Sequence, residues 1–84
     1  MHNFEGKTAV LTGAGSGFGL ACARIGAAKG MNLVLLDVQA DALQAAEAEI
    51  AATGVQVLSR VIDVSDESAM AHMAADMLAR FGAP

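Results

Sequence analysis

Tryptophan and tyrosine are missing from this sequence, and Phe4, Phe18 and Phe81 are its only aromatic residues. Any core must therefore be aliphatic, and because alanine dominates the apolar residues, each one adds little bulk. Cysteine is represented by Cys22 alone, which excludes an internal disulfide and suits a reducing, cytoplasmic setting. Charge is sparse too, at 17% of residues, with a formal balance of −4 and no Lys/Arg cluster. Such a chain has no electrostatic footprint for nucleic acid or for an anionic membrane surface. Apolar runs such as Leu33–Leu36 fall far below the ~20 residues that span a bilayer. The opening MHNFEGKTAV lacks the basic stretch and long apolar region of a secretory signal.

The 84 residues fit one domain and leave no room for a second. A chain of this size buries only about 60–65% of its unfolded surface, so it is marginally stable unaided. Three apolar runs read as strands: Thr8–Thr12, Asn32–Asp37 and Val55–Ile62. The first two are nearly continuous rather than alternating, as expected of strands covered on both faces. Between and after them the periodicity is helical. One helix is expected from about Ser16 to Lys29, with Leu20, Ala23, Ile25 and Ala27 on a broad apolar face and Gly30 ending it. A second runs from Ala40 to Thr53 on a stripe of Leu43, Ala46 and Ile50, with Gly54 as its stop. A third runs from Asp66 to Phe81, with Ser65 as N-cap and Asp66 and Glu67 at the positive end of the helix dipole. Met70, Met73, Met77 and Phe81 share one face of it, a stripe read as ordinary core.

This order, strand–helix three times over, predicts an α/β fold with a parallel sheet and right-handed crossovers. The sequence ends at RFGAP, where a fourth strand is expected to begin. The expectation is therefore a truncated domain, whose strand Thr8–Thr12 keeps an edge that further polypeptide must pair.

The densest signal is AVLTGAGSGFG, residues 9–19, with four glycines in seven positions behind a strand. Glycine in a regular element costs roughly 0.5–1 kcal/mol relative to alanine, so bare backbone must be needed there. A glycine-rich turn from a strand into a helix sets free N–H groups and the helix dipole against whatever lies beyond the strand, usually a phosphate. Bare backbone admits a pyrophosphate, and Gly19 lets the helix pack closely on the sheet. A P-loop needs Gly-Lys-Ser/Thr at its end; here Gly17 is followed by Phe18 and Gly19. The spacing Gly-x3-Gly-x-Gly also differs from the commoner Gly-x-Gly-x2-Gly fingerprint.

Thr12–Gly19, TGAGSGFG, resembles the TGxxxGxG cofactor signature of the short-chain dehydrogenase/reductase family. The resemblance runs the length of the chain, although family members are about three times longer. It implies a Rossmann-type doubly wound sheet, of which this chain holds the first β-α-β-α-β-α portion in sheet order 3-2-1. It also implies that the Gly13–Gly19 turn holds the cofactor: Gly13 and Gly17 give backbone access, and Ser16, Phe18 and Gly19 hold the pyrophosphate side. Phe18 stands where isoleucine is usual.

Asp37 ends the second strand about 20 residues beyond the glycines, where a carboxylate can accept both ribose hydroxyls of adenosine and repel a 2′-phosphate. Val38 follows it, and Ser16 occupies a position where relatives using NADP often carry Lys or Arg. NAD is therefore the expected cofactor, in preference to NADP. The alternative for Asp37 is to solvate the strand end. By resemblance, Asp63 accepts from the adenine amino group, and Val64 offers backbone N–H and apolar contact. Asp63 as a helix-entry residue is the alternative.

Cys22 reads as a packing residue, His72 as solvated on a helix face, and His2 as part of a frayed terminus. No spacing of His, Cys and carboxylates suggests a metal site. In the family, hydride transfer depends on a Tyr and a Lys four residues apart with an upstream Ser and an Asn. This chain has no tyrosine, so no catalytic residue is nominated. The leading expectation is the cofactor-binding part of a homo-oligomeric oxidoreductase acting on a small alcohol or carbonyl compound. The alternatives are a small non-catalytic dinucleotide-binding or regulatory module and, third, a methyltransferase.

Overall fold

The computed structural model describes residues 4–82. His2 and the end of RFGAP lie outside them. Six elements follow in strict alternation: β1 (Thr8–Thr12), α1 (Gly17–Ala28), β2 (Asn32–Asp37), α2 (Ala40–Ala51), β3 (Val57–Val61) and α3 (Glu67–Phe81). The strands are parallel and lie in the order β1-β2-β3. Val10 is in register with Val34, and Val34 with Leu58.

The sequence of β2 explains its place. Leu33, Val34, Leu35 and Leu36 are all fully buried, yet they divide between two cores as the two-residue period of a strand requires. Leu33 and Leu35 pack with Ala23, Ala27, Leu43 and Ile50 of α1 and α2. Val34 and Leu36 pack with Leu58, Ile62, Met73 and Met77 on the α3 side. Each such side chain stabilises the fold by about 1.5–3 kcal/mol. The described residues bury no polar or charged side chain.

The first core is built for close approach. α1 buries Ala23, Gly26 and Ala27, and a Cβ at Gly26 would stand 3.0 Å from Leu33 Cδ2. Ile25, expected on this face, is 58% exposed instead. At about 100° per residue it points nearly opposite Ala23 and Ala27, and only small residues fit between α1 and β2. The second core uses long, adaptable side chains: Met73 and Met77 are buried, with Met70 and Phe81 packed against them. The stripes Leu43–Ala46–Ile50 and Met73–Met77 lie where the periodicity placed them.

The helix ends differ in detail from expectation. β3 is shorter than Val55–Ile62, because Val55 and Gln56 lead into the ladder and Ile62 leaves it after donating its N–H to the Asp37 carbonyl. Ser65 does not cap α3. Asp66 does, accepting from the Ala69 N–H at 3.0 Å, while Ser65 turns back to Asp63. Gly30 and Gly54 follow α1 and α2 with φ of 75° and 95°, a conformation glycine adopts without strain. Cys22 is half-buried in α1, and His72 lies on the exposed face of α3.

Candidate functional site

The carboxyl ends of all three strands meet at one cleft. It has a volume of about 270 Å³ and runs from Thr12 and Gly13, over Leu36–Val38, to Ile62–Val64. Two larger depressions, of about 510 and 520 Å³, lie elsewhere. One of them borders the amino end of β2, and the other borders α2 and the amino end of β3. In open α/β sheets ligands bind beyond the carboxyl ends of the strands, so the smaller cleft is the candidate.

Its first wall is the turn from β1 into α1. Gly13 and Gly17 take φ of 60° and 59°, in the left-handed region, and a Cβ on either would meet no atom within 4 Å. Their glycines therefore serve conformation, and the space above them is open. Gly19 is a glycine for the opposite reason. A Cβ there would run into the Gly13 carbonyl and stand 2.8 Å from the Thr12 carbonyl oxygen, so α1 could not begin so close to β1. Ala14 anchors the turn; it is fully buried and donates its N–H to the Leu36 carbonyl at 3.0 Å.

The N-cap of α1, Ser16, is extended (φ −164°, ψ 175°) and makes no side-chain cap bond. The N–H groups at Gly17, Phe18 and Gly19 belong to the first helical turn, which has no intrahelical acceptors for them. The Phe18 ring is 86% exposed, so its bulk is accommodated without repacking the turn.

Asp37 forms the middle of the cleft. Its Oδ1 accepts from its neighbour Gln39 N–H at 3.0 Å, and its Oδ2 from Gly15 N–H at 2.8 Å. These two backbone donors, Gln39 first, hold its carboxyl below the usual range, so it is ionised at neutral pH. None of the chain's Lys and Arg residues lines the cleft. Arg24 pairs with Glu49 between α1 and α2, and Arg60 pairs with Asp76.

Asp63 stands at the far side, exposed. Its Oδ1 accepts from both the N–H (2.9 Å) and the hydroxyl (2.8 Å) of Ser65, and these bonds hold its carboxyl below the usual range. Val38 and Val64, 61% and 52% exposed, present apolar side chains to solvent along the same cleft.

Thus Gly13, Asp37, Val38, Asp63 and Val64 come together around one volume, whereas Ser16, Gly17, Phe18 and Gly19 continue from it into α1 without lining it. The sequence reading passed over Gly15. A Cβ there would stand 2.8 Å from both Ala42 Cβ and Asp37 Oδ2, a demand set by residues remote in sequence. Among the described residues no cluster of His, Cys, Asp and Glu could hold a metal ion.

A family model for short chain dehydrogenase matches residues 7–83. This chain belongs to the short chain dehydrogenase family. Galactitol 2-dehydrogenase (L-tagatose-forming) of Cereibacter sphaeroides is 44% identical over 77 residues, 90% of this chain and 29% of that protein. A short chain dehydrogenase/reductase from Burkholderia phymatum, solved in complex with NAD, superposes with a TM-score of 0.91 at 45% identity. That match covers 98% of this chain and 29% of the other. L-Sorbose reductase from Gluconobacter frateurii, solved with NADPH and L-sorbose, superposes at 0.86 with 33% identity, over 96% of this chain and 32% of its own. The chain spans about three tenths of the length of the curated relatives it matches. Solved structures that resemble it thus hold NAD in one case and NADPH in another. Among the described residues no helix is long and apolar enough to cross a membrane.

Proposed function

We propose that this chain is the dinucleotide-binding part of a cytoplasmic, homo-oligomeric, NAD-dependent short-chain oxidoreductase acting on a small alcohol or carbonyl compound. The observation that carries the reading is the ionised Asp37 carboxylate, fixed by two backbone donors at the middle of a cleft that no Lys or Arg lines. A carboxylate so placed accepts the two ribose hydroxyls of adenosine. A 2′-phosphate beside it would set like charges within a few ångströms, at a cost of several kcal/mol at low effective dielectric.

The other residues fit the same ligand. Gly13 and Gly17 leave room for a pyrophosphate, and the backbone at Ser16, Phe18 and Gly19 faces it with free donors and the positive end of α1. Val38 and Val64 offer apolar flanks for an adenine ring, and the Asp63 carboxylate can take its amino group. When bound, the nicotinamide supplies the hydride chemistry. Proton transfer falls to residues beyond these 84, since the family's tyrosine has no counterpart here. On this reading the chain is the N-terminal part of one Rossmann domain. The sheet continues in the doubly wound order 3-2-1-4, with a further strand on the free edge of β1.

Calorimetric titration with NADH and with NADPH tests the cofactor. NADH is expected to bind more tightly, and equal or tighter binding of NADPH overturns the role given to Asp37. Hydrogen exchange of the Ala9–Leu11 amides tests the domain. Protected amides in an 84-residue monomer would favour an autonomous module over part of a larger enzyme.

A further inference from the structure

We propose that Gly15 is a positioning residue for Asp37, and that through it the β1–α1 turn sets the choice between the two dinucleotides. The inference rests on the cofactor reading above and adds to it a residue that does not line the cleft.

Three elements converge on this point. Gly15 in the turn donates its N–H to Asp37 Oδ2 at 2.8 Å. Asp37 closes β2, and Ala42 lies in the first turn of α2. Gly15 fits between them only because it has no side chain. A Cβ would stand 2.8 Å from Asp37 Oδ2, 2.8 Å from Ala42 Cβ and 3.0 Å from the Ala42 carbonyl carbon. The backbone of α2 closes that side, so an added methyl cannot move away from the carboxylate. Glycine's φ plays no part, since Gly15 is not among the glycines with positive φ.

The consequence concerns orientation. With Oδ1 on Gln39 N–H and Oδ2 on Gly15 N–H, the carboxylate is pinned from both sides before any ligand arrives. One lone pair on each oxygen remains for a pair of ribose hydroxyls. To admit a 2′-phosphate the carboxylate would have to swing away, and the Gly15 bond opposes that swing. Without the bond, the side chain gives up both its preorganisation for ribose and its obstruction of the phosphate. Hydrogen bonds to a charged group are among the stronger ones, so losing it should be visible in affinity.

The test compares Gly15→Ala, Ala42→Gly and the double variant, each as the full chain, by titration with NADH and NADPH. Gly15→Ala is expected to narrow the ratio of the two dissociation constants by about tenfold, mainly through weaker NADH binding. Ala42→Gly alone leaves the ratio as in the parent. The double variant relieves the methyl–methyl overlap but not the overlap with Asp37. It should therefore regain thermal stability lost by Gly15→Ala and still show the narrowed ratio. A purely structural role for Gly15 would weaken both cofactors alike, and a parental ratio in the double variant overturns the proposal. Hydrogen exchange of the Gly15 amide gives a readout free of cofactor: it should be protected in the parent and accelerated in Asp37→Ala. If neither cofactor binds the parent but this protection is seen, the cofactor reading fails and the positioning stands. Equal exchange in the two proteins overturns the positioning itself.

Discussion

Three helices of this protein start beyond the carboxyl ends of the strands, and α1 and α3 start differently. At α3 the chain caps itself: Asp66 takes the Ala69 N–H, and just before it Asp63 holds the N–H and hydroxyl of Ser65. At α1 no side chain does so; Ser16 makes no cap bond, and four glycines shape the turn instead. The contrast extends to the two strand-end aspartates. Asp63 bonds only within its own turn, whereas Asp37 reaches across to Gly15 as well as to its neighbour Gln39. At α3 one first-turn donor is thus taken by a side chain. At α1 the first donors are left without a side-chain partner, beside a carboxylate held from across the turn, and α2, behind Gln39, has no side-chain cap either.

The largest effect expected from breaking this contrast is at Gly19. Gly19→Ala pushes a methyl into the backbone of Thr12 and Gly13, which cannot rotate away, and should destabilise the fold by about 2–3 kcal/mol. Thermal unfolding followed by circular dichroism checks it, and an unchanged midpoint would show that α1 can retreat from β1. Next comes the pair of aspartates. Asp37→Ala should weaken NADH by about tenfold or more, whereas Asp63→Ala should change it by less than about threefold. Titrations that rank the two in the opposite order would move the centre of the site to the β3 side.

A smaller difference separates the caps. Asp66→Ala removes a bonded N-cap and should lower stability by about 1 kcal/mol, with no change in cofactor affinity. Ser16→Ala removes none and should stay within about 0.5 kcal/mol. Urea unfolding of both variants decides it.

The smallest effect is in acid. The carboxyls of both Asp37 and Asp63 lie below the usual range in the folded chain, so each contributes stability that is fully present above the unfolded carboxylate range. That contribution is lost as pH falls through the lower folded values. Midpoints measured from pH 6 down to pH 2 should therefore bring Asp37→Asn and Asp63→Asn together with the parent at the acid end. Asp63 is exposed and Asp37 only part-buried, so the gaps at pH 6 will be modest. A gap that widens toward pH 2 would reverse the sign.

The strands β1 and β2 were legible in sequence because glycine or a polar residue marks each of their ends. The glycine turn was legible because its spacing is itself the signal. What periodicity missed were demands made by remote neighbours. Too broad an apolar face puts Ile25 in the core; the helical period turns it away from Ala23 and Ala27, and only alanine and glycine fit between α1 and Leu33. Ser65 and Asp66 are both capable caps, and the bond from Ser65 to Asp63 decided between them. Gly15 has no role in the sequence reading, because the atoms that exclude a side chain there belong to Asp37 and Ala42.

The wholly parallel pairing of the strands also has a kinetic side. Val10 and Val34, and again Val34 and Leu58, are in register across about two dozen residues. Among the described residues no hairpin is available to start the sheet, so each of these ladders must wait for a loop of that length to close around a helix. Both closures have β2 in common and span similar lengths, so neither ladder has an entropic head start. Local helix formation runs ahead of such long-range pairing, and assembly becomes a search by two preformed helical arms for one shared central strand.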